Sequence, residues 1–179
     1  MLRIYRDLRF RPDADPYKTM AAARFPHVAW KQVPAPGFYL HLEYGTSFLA
    51  CGVWHPDPET RNKVTDAIVK SPAQWKKAVS GKRFKATCEL SGEVMKRVPP
   101  GYDPKHPLAE DLKRKDFTAF TSFSDQQVCA PDFLDRVTHF VEAVAPLMKF
   151  LTLALSLPWA SGDEVSVREV LTVQSARTR

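Results

Sequence analysis

Arginine, aspartate, tyrosine and lysine side chains gather in the first eighteen residues at spacings that suit the capture of an anion. In Leu2-Arg3-Ile4-Tyr5-Arg6-Asp7-Leu8-Arg9-Phe10-Arg11, followed by Tyr17 and Lys18, an extended backbone puts Arg3, Asp7 and Arg9 on one side, because successive side chains alternate along a strand. Guanidinium groups grip phosphate or carboxylate through two parallel hydrogen bonds, the ammonium of Lys18 adds a point charge, and Asp7 can orient either arginine. The same residues also suit a structural arrangement in which Asp7 pairs with Arg6 or Arg9 and Tyr17 packs as a lid. Arg6 falls on the apolar side with Leu2, Ile4, Leu8 and Phe10, so it has to reach the sheet edge or meet an acceptor.

A second constellation is Tyr39, His41 and Glu43, spaced by two and therefore on one strand face. A histidine held in one tautomer by a carboxylate can move protons, which makes His41 and Glu43 candidate acid–base residues. Cross-strand pairing on a solvated face accounts for the same residues without catalysis. Tyr39 joins Tyr17, Lys18 and the arginines as a candidate ligand contact. The chemistry implied is binding of a phosphate-bearing ligand or nucleic acid, with acid–base catalysis and a protein-interaction module as alternatives.

Other chemistries find little support. Cys51, Cys88 and Cys129 form no CxxC pair, and the first two sit in apolar, strand-like runs where a thiol is an inert hydrophobe. His27, His41, His55, His106 and His139 show neither HxH nor HExxH spacing, so no metal site is expected. His55 and His106 each precede a proline at an element boundary, which points to structural roles. With seven glycines and no Walker or Rossmann pattern, no nucleotide cofactor is expected.

The elements that would position these groups follow from pattern. Residues 2–11 alternate as a half-buried strand, residues 12–20 form a turn-rich loop, and residues 33–37 form a second break. Phe38 to Tyr44 alternates, with Phe38, Leu40, Leu42 and Tyr44 facing the core, and Gly45-Thr46 turns the chain into a central strand over residues 47–55. Asp57-Pro58 and Ser71-Pro72 start two helices, the second stopped by Gly81. Residues 84–90 read as a strand, residues 108–115 as a helix and residues 117–123 as a strand. Pro131-Asp132 opens a helix lined by Phe133, Leu134, Val137, Phe140, Val141 and Val144, and Pro146 starts or kinks a second, more buried one. The class expected is α+β: an antiparallel or mixed sheet of about five strands, helices packed on it and a C-terminal helical pair. Residues 1–159 make one domain, with 160–179 a tail or peripheral element.

A net charge of +6 and a pI of about 9.3 favour anionic partners, although the basic residues are spread over several segments and interrupted by acids in the manner of a solvated surface. The odd cysteine count and the lack of a charged n-region with an apolar run imply a reducing, cytoplasmic setting and no membrane association. The apolar stretch 147–157 is too short to span a bilayer and reads as a core helix.

In combination, Ile4-Tyr5-Arg6-Asp7-Leu8-Arg9-Phe10 with Pro16-Tyr17-Lys18-Thr19, Phe38-Tyr39-Leu40-His41 with Gly52, Pro99-Pro100-Gly101-Tyr102 with His106-Pro107, and Lys115-Asp116-Phe117 resemble the bacterial and fungal proteins grouped as domain of unknown function 2461. The resemblance spans residues 2–159 and implies a fold but no reaction. It also implies a helical segment ahead of the first strand, which this chain lacks, and so a missing N-terminal piece. Ala14 stands where the family is expected to carry lysine, and Thr65 where an arginine is expected.

Overall fold

The structure, a computed structural model, describes residues 17–31 and 34–159. Strands β1 (Ala21–Pro26), β2 (Gly37–Leu42), β3 (Ser47–Val53), β4 (Glu89–Ser91) and β5 (Phe117–Phe123) form one antiparallel sheet in the order β1-β2-β3-β5-β4. Helices α1 (Pro58–Lys70), α2 (Pro72–Ser80), α3 (Lys82–Thr87), α4 (Ala109–Leu112), α5 (Asp125–Cys129) and α6 (Phe133–Ala154) complete the α+β architecture. The strand expected over residues 2–11 lies outside the described residues.

β3 is the middle strand, as its apolar character on both faces implies. Leu40 pairs with Leu49, Cys51 with Ala119 and Val53 with Phe117, so these residues share the face that carries the core. Against it lie Val64 and Ile68 of α1, Trp75 of α2, and Phe140, Val144, Leu147 and Leu151 of α6, all buried. Trp75 meets Phe117 and Phe150 edge-on, with centroids 6.3 and 5.3 Å apart, a favourable geometry for the ring quadrupoles. The reverse face carries the other register set: Arg24 opposite Tyr39, Ala22 opposite His41, His41 opposite Phe48, and Ala50 opposite Phe120.

Local signals set several boundaries. The Asp57 carboxylate accepts from the amide and the hydroxyl of Thr60, each at 2.9 Å, and Pro58 begins α1 as expected. Those bonds, the amide first, hold the Asp57 carboxyl below the usual carboxylate range. At Gly52, φ is +115° and a Cβ would run into the carbonyl oxygen of Phe117, so β3 and β5 approach more closely there than a side chain allows. Beyond β3, the Asp116 carboxylate is only 1% exposed. It accepts from the His55 amide at 2.7 Å and the Glu93 amide at 2.9 Å, fastening the turns after β3 and β4 to the start of β5.

Some expectations fail, each for a physical reason. Residues 84–90 are not one strand: α3 runs to Thr87 and β4 starts at Glu89. Over seven residues, Phe84, Ala86, Cys88 and Leu90 satisfy a period of two, while burying Phe84 beneath α6 needs only a single helical turn. Tyr44 does not face the core but is 90% exposed, because β2 ends at Leu42 and the chain has turned away. β1 was not anticipated, since Ala21-Ala22-Ala23 shows no alternation and becomes a strand through its pairing with β2. The helix expected over 108–115 contracts to Ala109–Leu112, and α5 enters on a capping box at Ser124 and Gln127.

The expected C-terminal pair at Pro131 and Pro146 is one 22-residue helix, α6, with Pro146 inside it. Pro146 is exposed, so the Glu142 carbonyl that loses its N–H partner lies on the solvent side, where water can satisfy it. The buried stripe carries the helix through. α6 is also long and apolar enough to cross a membrane by length and composition, but its stripe is spent on the sheet and α2, as in a core helix.

Candidate functional site

The two strand pairs on the sheet face turned away from the helices bring rings together. His41 stacks on Phe48 with centroids 4.9 Å apart, and Tyr39 lies 5.8 Å from Phe48 and 6.1 Å from His41. Phe120 lies one strand further on, and Arg24, exposed on β1, stands opposite Tyr39. Arg24, Phe48 and Phe120 were missed in the sequence, because only the register β1-β2-β3-β5 puts them beside Tyr39.

Tyr39, His41 and Glu43 form a hydrogen-bonded chain. The Tyr39 hydroxyl is 3.4 Å from His41 Nδ1, and His41 Nε2 is 3.1 Å from Glu43 Oε2. A neutral imidazole satisfies both contacts if Nε2–H donates to the carboxylate and Nδ1 accepts from the phenol. Thr19 donates to Glu43 Oε1 at 2.6 Å. That bond first, and the one from His41 second, hold the Glu43 carboxyl below the usual carboxylate range. The Ser47 hydroxyl accepts from the Glu43 amide and donates to the Glu43 carbonyl, at 3.1 and 3.0 Å, which locks the turn.

His41 therefore has both ring nitrogens engaged within the protein and a side chain only 13% exposed. The loop at Pro99–Tyr102 does not seal it: the Tyr102 hydroxyl donates to Asp66 of α1 at 2.8 Å, on the helical side of the sheet.

Tyr17, exposed, and Lys18, half-buried, lead into β1, in the same stretch as Thr19. Arg3, Arg6, Asp7 and Arg9 lie outside the described residues. Thr65, at the helix position where an arginine is expected, is buried and donates to the Arg61 carbonyl at 3.0 Å, so that position serves packing.

His27, His106, Cys51 and Cys88 serve structure. His27 Nε2 lies 2.9 Å from the Pro158 carbonyl, and His106 Nδ1 accepts from the Leu108 amide at 3.1 Å. Burial pushes the Cys51 thiol up, and Cys88 up to about 11, so neither is a nucleophile at neutral pH. No metal-binding cluster of His, Cys, Asp or Glu occurs among the described residues. A shallow depression between α3, β5 and α6 contains His139 and Asp135, and its arginine, Arg136, is paired with Asp132 at 2.8 Å.

No curated protein and no solved structure matches the chain. The family model of a conserved hypothetical protein, domain of unknown function 2461, matches residues 1–150, and with that match over most of its length the chain belongs to this family.

Proposed function

We propose that the protein is a binding domain for a phosphate-bearing ligand with planar bases, held on the sheet face that carries Tyr39, His41 and Phe48. The observation that carries this reading is the packed row of rings beside the exposed Arg24, with Lys18 just ahead of β1. Aromatic side chains stack on bases of any sequence, and cations beside them track the phosphates. The net charge of +6 favours the encounter. An acid–base role for His41 and Glu43 is less well supported, since Tyr39 and Glu43 already take both imidazole nitrogens.

Fluorescence anisotropy with a labelled dodecathymidylate tests the proposal, with AMP and ATP as competitors. Binding should weaken steeply with salt. Arg24→Ala and Lys18→Ala should each flatten the salt dependence by about one counterion, and Tyr39→Ala should cost about 1–3 kcal/mol for a lost base stack. Competition by nucleotides at comparable affinity identifies a mononucleotide ligand; failure to compete identifies a single strand. Absence of binding by either probe at low salt overturns the reading.

A further inference from the structure

At the other end of β3, about 20 Å from Phe48 by the rise of a strand, the His55 imidazole and the backbone amides of His55 and Glu93 meet a buried carboxylate. His55 has a φ of 47°, in the left-handed region that a residue with a Cβ occupies only when its surroundings hold it there. The holder is Asp116. One oxygen, Oδ1, accepts the His55 amide at 2.7 Å and lies 3.3 Å from His55 Nδ1. The backbone bond and the imidazole contact thus share one atom.

Asp116 is 1% exposed, whereas the His55 side chain is 56% exposed. With Nδ1 turned to the carboxylate, Nε2 is the nitrogen left to solvent. No lysine or arginine is paired with Asp116 among the described residues. Lys115 instead pairs with Glu93 at 2.8 Å and holds its carboxyl below the usual range. The indole of Trp54 lies against the His55 ring, centroids 4.2 Å apart, and is 73% exposed. An imidazole whose Nδ1 lies within ion-pair distance of a buried carboxylate, in a side chain that is more than half exposed and beside an exposed indole, has the parts that general-base chemistry uses. By contrast, His41 has both nitrogens used, and His27 and His106 hold backbone groups.

We propose that His55 is a general base in a second site, with Asp116 as its positioning residue and Trp54 as the platform for a ligand's ring. The ligand class follows from charge. Among the described residues, Glu93 and Lys115 neutralise each other and Asp116 has no lysine or arginine partner, so nothing described there favours an anion. An uncharged ring bearing a hydroxyl or an ester fits: its face lies on Trp54 and Nε2 takes a proton from its hydroxyl or from an attacking water. This site is independent of the sheet-face reading above.

p-Nitrophenyl acetate is a probe of that shape. At the site, Nε2 removes a proton from water as the water oxygen bonds to the carbonyl carbon. The C–O bond to the aryl group breaks, p-nitrophenolate leaves with the electron pair, the acetic acid formed ionises to acetate, and the proton on Nε2 passes to solvent, which restores the base. The full chain should hydrolyse it at least about tenfold faster than equimolar imidazole. His55→Gln should remove the excess, and His139→Gln should not. Trp54→Ala should raise KM several-fold with kcat retained. Asp116→Asn should lower kcat and shift the pH profile. Because Asp116 also ties two turns, the wild-type chain supplies a check that needs no variant. Long-range nitrogen–proton NMR should find neutral His55 protonated at Nδ1 rather than Nε2. A rate no greater than that of imidazole, an excess that survives His55→Gln, or a proton on Nε2 overturns the proposal.

Discussion

Gly52 illustrates how a single position can be fixed by backbone approach. With φ at +115° and the Phe117 carbonyl where a Cβ would lie, Gly52→Ala has to move a neighbouring strand as well as adopt a strained backbone. It should cost about 2–5 kcal/mol. Gly45 also has a positive φ, +73°, but has nothing within 4 Å of a Cβ, so Gly45→Ala should cost only about 1–2 kcal/mol. Urea melts of the two variants compare these costs directly, and equal losses would mean that crowding at Phe117 is relieved cheaply. The sequence exposed Gly45 through its neighbour Thr46 and the two flanking strands. It offered no such signal at Gly52, whose constraint comes from a residue 65 positions away in the chain (117 − 52). His41 and Glu43 were visible as a pair by their spacing. Their closure by Tyr39, Thr19 and Phe48 was not, because Thr19 and Phe48 belong to other segments.

Among the elements, α6 shows tertiary packing overriding a local signal. Pro146 removes one helical hydrogen bond and ordinarily disfavours a helix interior by about 3 kcal/mol relative to alanine. Phe140, Val144, Leu147 and Leu151 are fully buried on either side of it, and burial of each contributes about 1.5–3 kcal/mol, so continuing the helix outweighs breaking it. Because Pro146 is exposed, Pro146→Ala restores the bond to Glu142 without opening a cavity. It should stabilise the protein by about 1–3 kcal/mol, read as a higher melting temperature; a lower one would mean that the proline itself is needed for packing on the sheet. α1 and α2 were readable because Asp57-Pro58 and Ser71-Pro72 carry their start signals in adjacent residues. α3 was not, since six residues are too few to separate a helical period from an alternating one.

Across the whole molecule, the layering of helices on one sheet face sorts the thiols. Cys51 lies in the core face of β3, Cys88 is half-buried at the end of α3, and Cys129 is exposed at the end of α5. Burial raises the first two above the range in which a thiolate forms at neutral pH. Ellman's reagent on native protein should therefore label Cys129 promptly, Cys88 slowly and Cys51 only with unfolding. Rapid labelling of Cys51 would contradict the packing of β3 beneath α6. Alternation in β2 and β5, the doubly apolar run of β3, the capped starts of α1 and α2 and the motifs of the family are all short-range, so the sequence by itself determined the α+β class, the central strand and the family. Strand order, the pairing of Ala21–Pro26, the stacking of Tyr39, His41 and Phe48, and the meeting of His55 with Asp116 were decided only by the tertiary structure. Each of these depends on which distant segments the antiparallel register sets side by side, and no local pattern encodes that.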